Sequence, residues 1–304
     1  MSPRTGLGPL ELSLLDALDL LAGSRAGDPV RCAEVLAAVE RLHGFGPRYS
    51  WPALVDLGAP WRLHLPLVEL MGNVGSQHGD PPADSAYVEG RLSEIGVLAL
   101  AAERDEVGPL PLGLIEGSLY RDGVVPPFAP AAVVSALLAG RTDAGIPVLP
   151  TGGTVEGDVA GLLAGRPARL TLGCTIRDEI ERIVITEVPL GVRTDDLVER
   201  ITQALHTVER GDGTRPRRIR RPDAGSAVSD VRDDSSARDG LRIVLDVERR
   251  TNVPRVIEWL REIWPVSIDV DCRLPAPMSI RLESWDRGDG SGLRALADLL
   301  TPRF

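Results

Sequence analysis

Apolar residues recur at the spacing of one helix face over residues 10–21 (LELSLLDALDLL) and again over 32–42 (CAEVLAAVERL), so both segments are predicted helices. Residues 52–57 add a shorter helical piece. The stretch 83–102 reads as a long helix interrupted near Gly90 and Gly96. The first hundred residues are therefore expected to be mostly α-helical. A Pro/Gly-rich stretch over 108–130 reads as loop, with a short helix over 131–138 behind it.

Beyond that point the period changes. Residues 166–172 (RPARLTL) and 182–187 (RIVITE) alternate and favour strands, which predicts two strands joined by a polar turn. Residues 194–208 (TDDLVERITQALHTV) predict a helix with Thr194 as N-cap and Asp195 and Asp196 in its first turn. Residues 210–240 are charged, rich in Gly, Ser and Asp, and poor in apolar positions, so a mobile loop is expected. Residues 241–247 (LRIVLDV) predict a strand. Residues 252–264 predict a helix capped by Asn252, with Pro254 in its first turn. The expected fold class is α+β. It divides near residue 145 into a helical part, 1–145, and a mixed part, 146–304, that carries the mobile loop at about 210–240.

A chain of 304 residues can hold two cores. Aromatic residues are only 4%, so those cores must rest on Leu, Val, Ile and Ala. No apolar run approaches the roughly 20 residues that cross a bilayer, and the first residues do not resemble a signal peptide; no membrane partner and a cytoplasmic location are expected. Cys32, Cys174 and Cys272 are scattered, which argues against a disulfide framework or a zinc site and for small apolar roles. The formal net charge is −10 and all 34 basic residues are arginine. An acidic total does not favour nucleic-acid binding, although a local basic patch can supply it. The most basic run is Arg215, Arg217, Arg218, Arg220 and Arg221; it reads as either a phosphate-gripping loop or a solvated face balanced by Asp230, Asp233 and Asp234.

Residues 66–93, PLVELMGNVGSQHGDPPADSAYVEGRLS, resemble without gaps the active-site stretch of the A subunits of DNA gyrase and topoisomerase IV. That stretch runs approximately PLVDGQGNFGS-x-x-GD-x-x-AAMRYTEARLS. The identities include Gly72-Asn73, Gly75-Ser76, Gly79-Asp80, Tyr87, Glu89 and Arg91-Leu92. Upstream, residues 41–46 lie where the family has KYHPHGD and keep His43 and Gly46. Pro47, Arg48 and Pro52 follow. Since a proline inside a helix costs about 3 kcal/mol, the helix there is expected to start near Trp51 or Pro52, or to be broken. Residues 146–153, 182–192 and 233–244 resemble the family's GPDFPTGG, VITELPYQV and DESSDRDGLRIVI segments. The resemblance implies a winged-helix-like cleavage domain followed by a tower-like domain.

The resemblance also implies a chemistry. In the family a tyrosine hydroxyl attacks a DNA phosphodiester and stores the bond as a phosphotyrosine. Tyr87 matches that nucleophile. The arginine that precedes it in the family, and steadies the transferring phosphate, is replaced here by Ala86, which implies impaired cleavage. His43, Arg48, Ser76, His78 and Arg91 are the residues expected to meet DNA, with His64 and Ser85 as lesser candidates. Asp80 and Glu89 suit turn and helix positions better than a metal, so no metal and no cofactor of its own is expected; Mg²⁺ and ATP would come through a B-type subunit. The family's wedge isoleucine has no clear match, with Val124 or Val125 nearest. The chain ends at Phe304, where the family enters its coiled coil, so a homodimer would lack that contact. The expected partners are double-stranded DNA, held weakly and without sequence preference, and a gyrase B-type subunit. The alternatives are a working, ATP-dependent topoisomerase of the same type and a regulator or decoy that docks on gyrase.

Overall fold

The structure is a computed structural model and describes residues 2, 4–22, 27–77, 79–117, 126–141, 145–188, 193–206, 227–236, 240–249, 251–263, 267–272 and 290–301. Its elements run α1 (Pro9–Ala22), β1 (Val30–Arg31), α2 (Cys32–His43), α3 (Pro47–Gly58), β2 (Val68–Met71), a 3-10 turn (Ser85–Tyr87), β3 (Glu89–Leu92), α4 (Glu94–Glu103), α5 (Leu112–Ile115) and α6 (Pro130–Leu138). They continue with β4 (Thr154–Gly157), α7 (Val159–Leu163), β5 (Ala168–Gly173), β6 (Thr175–Glu179), β7 (Arg182–Glu187), α8 (Thr194–His206), β8 (Val228–Asp233), β9 (Ile243–Val247), α9 (Val253–Ile263), β10 (Ser267–Cys272) and α10 (Ser291–Leu300). Helices and wholly antiparallel sheets mix along the chain, as the α+β expectation requires.

The first core gathers Leu14, Leu15 and Leu18 of α1, Val35 and Val39 of α2, Leu54 of α3, and Leu67 and Leu92 beside a sheet of order β1-β3-β2. Two helix ends show clear caps. Gly44 closes α2 at φ 76° by returning its N–H to the Glu40 carbonyl. Ser93 opens α4 by accepting from the Gly96 N–H at 3.1 Å while its hydroxyl donates to the Pro66 carbonyl.

Two sequence expectations change in this core. The stretch 83–102 is not one helix: the 3-10 turn and β3 precede α4. Val88, Gly90 and Leu92 are buried while Glu89 is exposed, a two-residue period that fits a strand paired on both sides. The helix expected to begin near Trp51 begins at Pro47 and continues through Pro52. Pro47 takes the first turn, where no N–H is needed. Pro52 is exposed, so the carbonyl that its ring frees can face water.

The second core lies between helices and a sheet of order β6-β7-β9-β8. Ile183, Ile185, Ile243 and Leu245 of the central strands meet Leu197, Ile201 and Leu205 of α8 and Val256, Trp259 and Leu260 of α9. The expected strands 166–172 and 182–187 are not one hairpin. β6 intervenes, and β5 belongs to a separate sheet, β10-β5-β4, over a small core of Leu162, Leu170 and Cys272. Val228–Asp233, expected within a mobile loop, is the edge strand β8. Residues 207–226, including the arginine run, lie outside the described residues. Finally, α10 places Leu293 and Leu296 in the first core, and its Ser291 hydroxyl accepts from the Gly108 N–H at 2.9 Å.

Candidate functional site

A polar, glycine-rich loop leads from β2 to Tyr87 and closes on itself through hydrogen bonds. The Ala83 N–H donates to the Asn73 carbonyl, and the Gly75 N–H to the Asn73 side-chain oxygen, each at 2.9 Å. The Ser76 hydroxyl donates to the Asp80 carboxylate at 2.6 Å. Asp84 then caps the 3-10 turn: its side chain accepts from the Ala86 N–H at 2.9 Å and its carbonyl from the Tyr87 N–H at 2.9 Å. Gly72 makes the close approach possible. Its φ is 125°, and a Cβ there would stand 3.1 Å from the Tyr87 carbonyl oxygen.

With its backbone held this way, the Tyr87 side chain points outward and is 80% exposed. Ala86 beside it is also exposed and brings no charge. The turn is tied to the first core through the Cys32 N–H, which donates to the Val88 carbonyl at the start of α2.

The other expected site residues fall in different places. His43 ends α2, Arg48 stands at the start of α3, and both are exposed, so the turn between the two helices brings them together. That turn lies at the far end of α2 from the tyrosine, roughly 16 Å along the helix axis at about 1.5 Å per residue. Arg91 sits opposite Glu69 in the β2–β3 ladder and pairs with it at 2.7 Å. Ser76 and Asp80 hold each other inside the loop. His64 directs its Nε2 to the Val148 carbonyl at 2.8 Å, which joins the residues before β2 to those after α6. Ser85 is half-buried in the turn. His78, Val124 and Val125 lie outside the described residues. Among the described residues no three His, Cys, Asp or Glu side chains converge as a metal site, and no helix is long and apolar enough to cross a membrane.

Three features were not read from the sequence. Asp84 is the cap of the tyrosine turn, and its signal, an Asp two residues before the amide it holds, was present. Glu116 is 6% exposed and accepts from the N–H groups of His64 and Leu65, each at 2.8 Å; burial pushes its carboxyl up to about 8, against those two donors. The third is a cavity of about 380 Å³ between α3, the glycine loop and the second core, with Trp51, Trp61, Pro81, Pro82, Thr151 and Arg193 in its walls. The three thiols are free, and burial pushes Cys32 and Cys174 up to about 12 and Cys272 to about 11, leaving them poor nucleophiles.

An antiparallel α+β chain with a solvent-presented tyrosine on a backbone-braced loop is the class that this geometry defines. No family model matches the chain. Curated relatives do, and their resemblance runs through both halves of it. The DNA gyrase A subunit of Chlamydia pneumoniae is 27% identical over 338 residues, covering 93% of this chain and 38% of its own length. That of Aminobacterium colombiense is 30% identical over 84% of this chain and 35% of its own length. The chloroplastic/mitochondrial DNA gyrase A subunit of Arabidopsis thaliana is 26% identical over 81% and 29%. The chain is thus gyrase A-like over most of its length, and it spans about a third of the length of the relatives it matches.

Proposed function

We propose that the chain is a gyrase A-like DNA-binding protein in which Tyr87 occupies the nucleophile's place and strand cleavage is impaired. The first core, with α10 packed into it, acts as the winged-helix-like domain, and the other residues from 146 onward supply the tower-like domain. The observation that carries the reading is the presentation of Tyr87: exposed, on a capped turn, next to an alanine. In the reaction for which this loop is built, the phenol gives up its proton, its oxygen forms a bond to a backbone phosphorus, and the bond from that phosphorus to a sugar oxygen breaks. Charge gathers on the phosphate as this happens. A positioned donor at residue 86 would stabilise it, and loss of one such donor costs about 10²–10³ in rate.

Duplex DNA is the substrate class, met through backbone phosphates by exposed groups such as His43 and Arg48. Mg²⁺ and ATP belong in this reading to a B-type partner, and the chain's own residues present the tyrosine and grip the backbone. With few arginines to reach the phosphates on a chain of net charge −10, affinity is expected to be weak, steeply salt-dependent and indifferent to sequence. Titrating a labelled duplex at two salt concentrations checks this; tight binding that barely changes with salt contradicts it. The chemical half of the reading is tested by Ala86→Arg, which should raise detergent-trapped cleavage in the presence of a B-type subunit, Mg²⁺ and plasmid, and by Tyr87→Phe, which should abolish whatever remains.

A further inference from the structure

The residue before α8 reaches out of the second core to the loop that carries the tyrosine. Arg193 begins that helix, its carbonyl accepting from the Leu197 N–H at 3.3 Å, and Leu197, Ile201 and Leu205 fix the helix in the core. Its guanidinium lies close against Gly79 in the glycine loop. A Cβ on Gly79 would come within 2.7 Å of the guanidinium carbon, and the φ of Gly79 is 115°. Only glycine permits this approach. Asp195 pairs with Arg193 at 3.9 Å, beyond hydrogen-bond range, which leaves the guanidinium against Gly79.

From Gly79 the path to the tyrosine is short and made of hydrogen bonds. The Gly79 N–H donates to the Ser76 carbonyl, Ser76 holds Asp80, and the Ala83 N–H returns to Asn73 just before Asp84 caps the turn. Gly79, Asp80, Thr151, Val188 and Arg193 line the same cavity of about 380 Å³. The Arg193 guanidinium meets the loop at Gly79, where that hydrogen-bonded path begins.

We infer that Arg193 is a positioning residue for Tyr87, through which the second core sets where the tyrosine is presented. The importance of that position for DNA rests on the reading of Tyr87 as the attacking group; the mechanical link does not.

Labelling the full chain with 3-fluorotyrosine gives three reporters, Tyr49, Tyr87 and Tyr120, which single Tyr→Phe changes assign. Arg193→Ala should shift the Tyr87 fluorine line by more than its width and leave the Tyr49 line, on α3 of the first core, in place. Gly79→Ala, which forces the guanidinium away, should move the Tyr87 line as well. Arg193→Lys keeps the charge but not the guanidinium contact and should restore the wild-type line only in part. An unmoved Tyr87 line in Arg193→Ala overturns the proposal, and so does equal movement of both lines, which marks general loosening. The line is read without DNA, so a chain that never cleaves can still pass; failure of the catalytic reading and failure of this one are separate results.

Discussion

The turn at Ser85–Tyr87 leaves its tyrosine 80% exposed and is held by the Asp84 cap and main-chain bonds, whereas the Glu116 carboxyl is 6% exposed and holds two backbone amides in the interior. Both residues are polar and both belong to the first half of the chain. Around Tyr87 the scaffold is made of glycine conformation, main-chain bonds and the side chains of Asn73, Ser76, Asp80 and Asp84, so the Tyr87 side chain can be exchanged without disturbing what holds it. Around Glu116 the side chain is itself the scaffold. The contrast separates residues whose removal should cost function from residues whose removal should cost the fold.

The largest effect should come from Glu116→Ala. It strands the N–H groups of His64 and Leu65, and each buried donor left without a partner costs about 1–3 kcal/mol, so a loss of about 2–6 kcal/mol is expected from denaturant unfolding. A loss below about 1 kcal/mol would erase the contrast. The same carboxyl makes stability depend on pH. Its folded value is raised to about 8 from an ordinary 4.5, so between those values the folded chain keeps a proton that the unfolded chain has lost. Stability from this group is full below about 4.5 and declines as pH rises towards 8. Acids held low by arginines, such as Asp246 and Asp271, are ionised in both states across this window and do not oppose the trend. Comparing unfolding midpoints at mildly acidic pH and at pH near 8 should show the decline, and Glu116→Gln should flatten it.

Gly72→Ala should cost less, about 1–3 kcal/mol, because it puts a Cβ into a positive-φ position against the Tyr87 carbonyl. It should also alter the tyrosine's presentation, visible as a shifted Tyr87 fluorine line. The smallest effect belongs to Tyr87→Phe. Removing an exposed hydroxyl should leave stability within about 0.5 kcal/mol of the parent; a larger loss would mean that the tyrosine is structural after all.

How much of this could be read in the sequence differs along the same line. Long periodic segments announced themselves: α1, α2, α8, α9, β7 and β9 stand close to where apolar spacing placed them. Tyr87 and its glycines were legible because many identities fell in one register. β3 was not, since its alternation spans only a few residues and its partner strand lies far back in the chain, Val68 facing Leu92. β8 was hidden by its exposed acids, as edge strands often are. β5 was assigned to the wrong sheet because its partner β10 follows after the whole second core. Glu116 gave no local signal; an acid at the end of an apolar run acquires its role only from the amides of His64 and Leu65, brought to it by the fold.

The most direct test of the central claim is to mix the unmodified chain with a gyrase B-type subunit, Mg²⁺ and supercoiled plasmid, stop the reaction with detergent, and measure DNA covalently attached to protein. The account predicts none, or a yield at least about a hundredfold below that of a gyrase A protein carrying arginine at the position of Ala86, with any remainder lost in Tyr87→Phe. Cleavage at the level of that protein, dependent on Tyr87, would contradict it and show that another group in this site stabilises the phosphate.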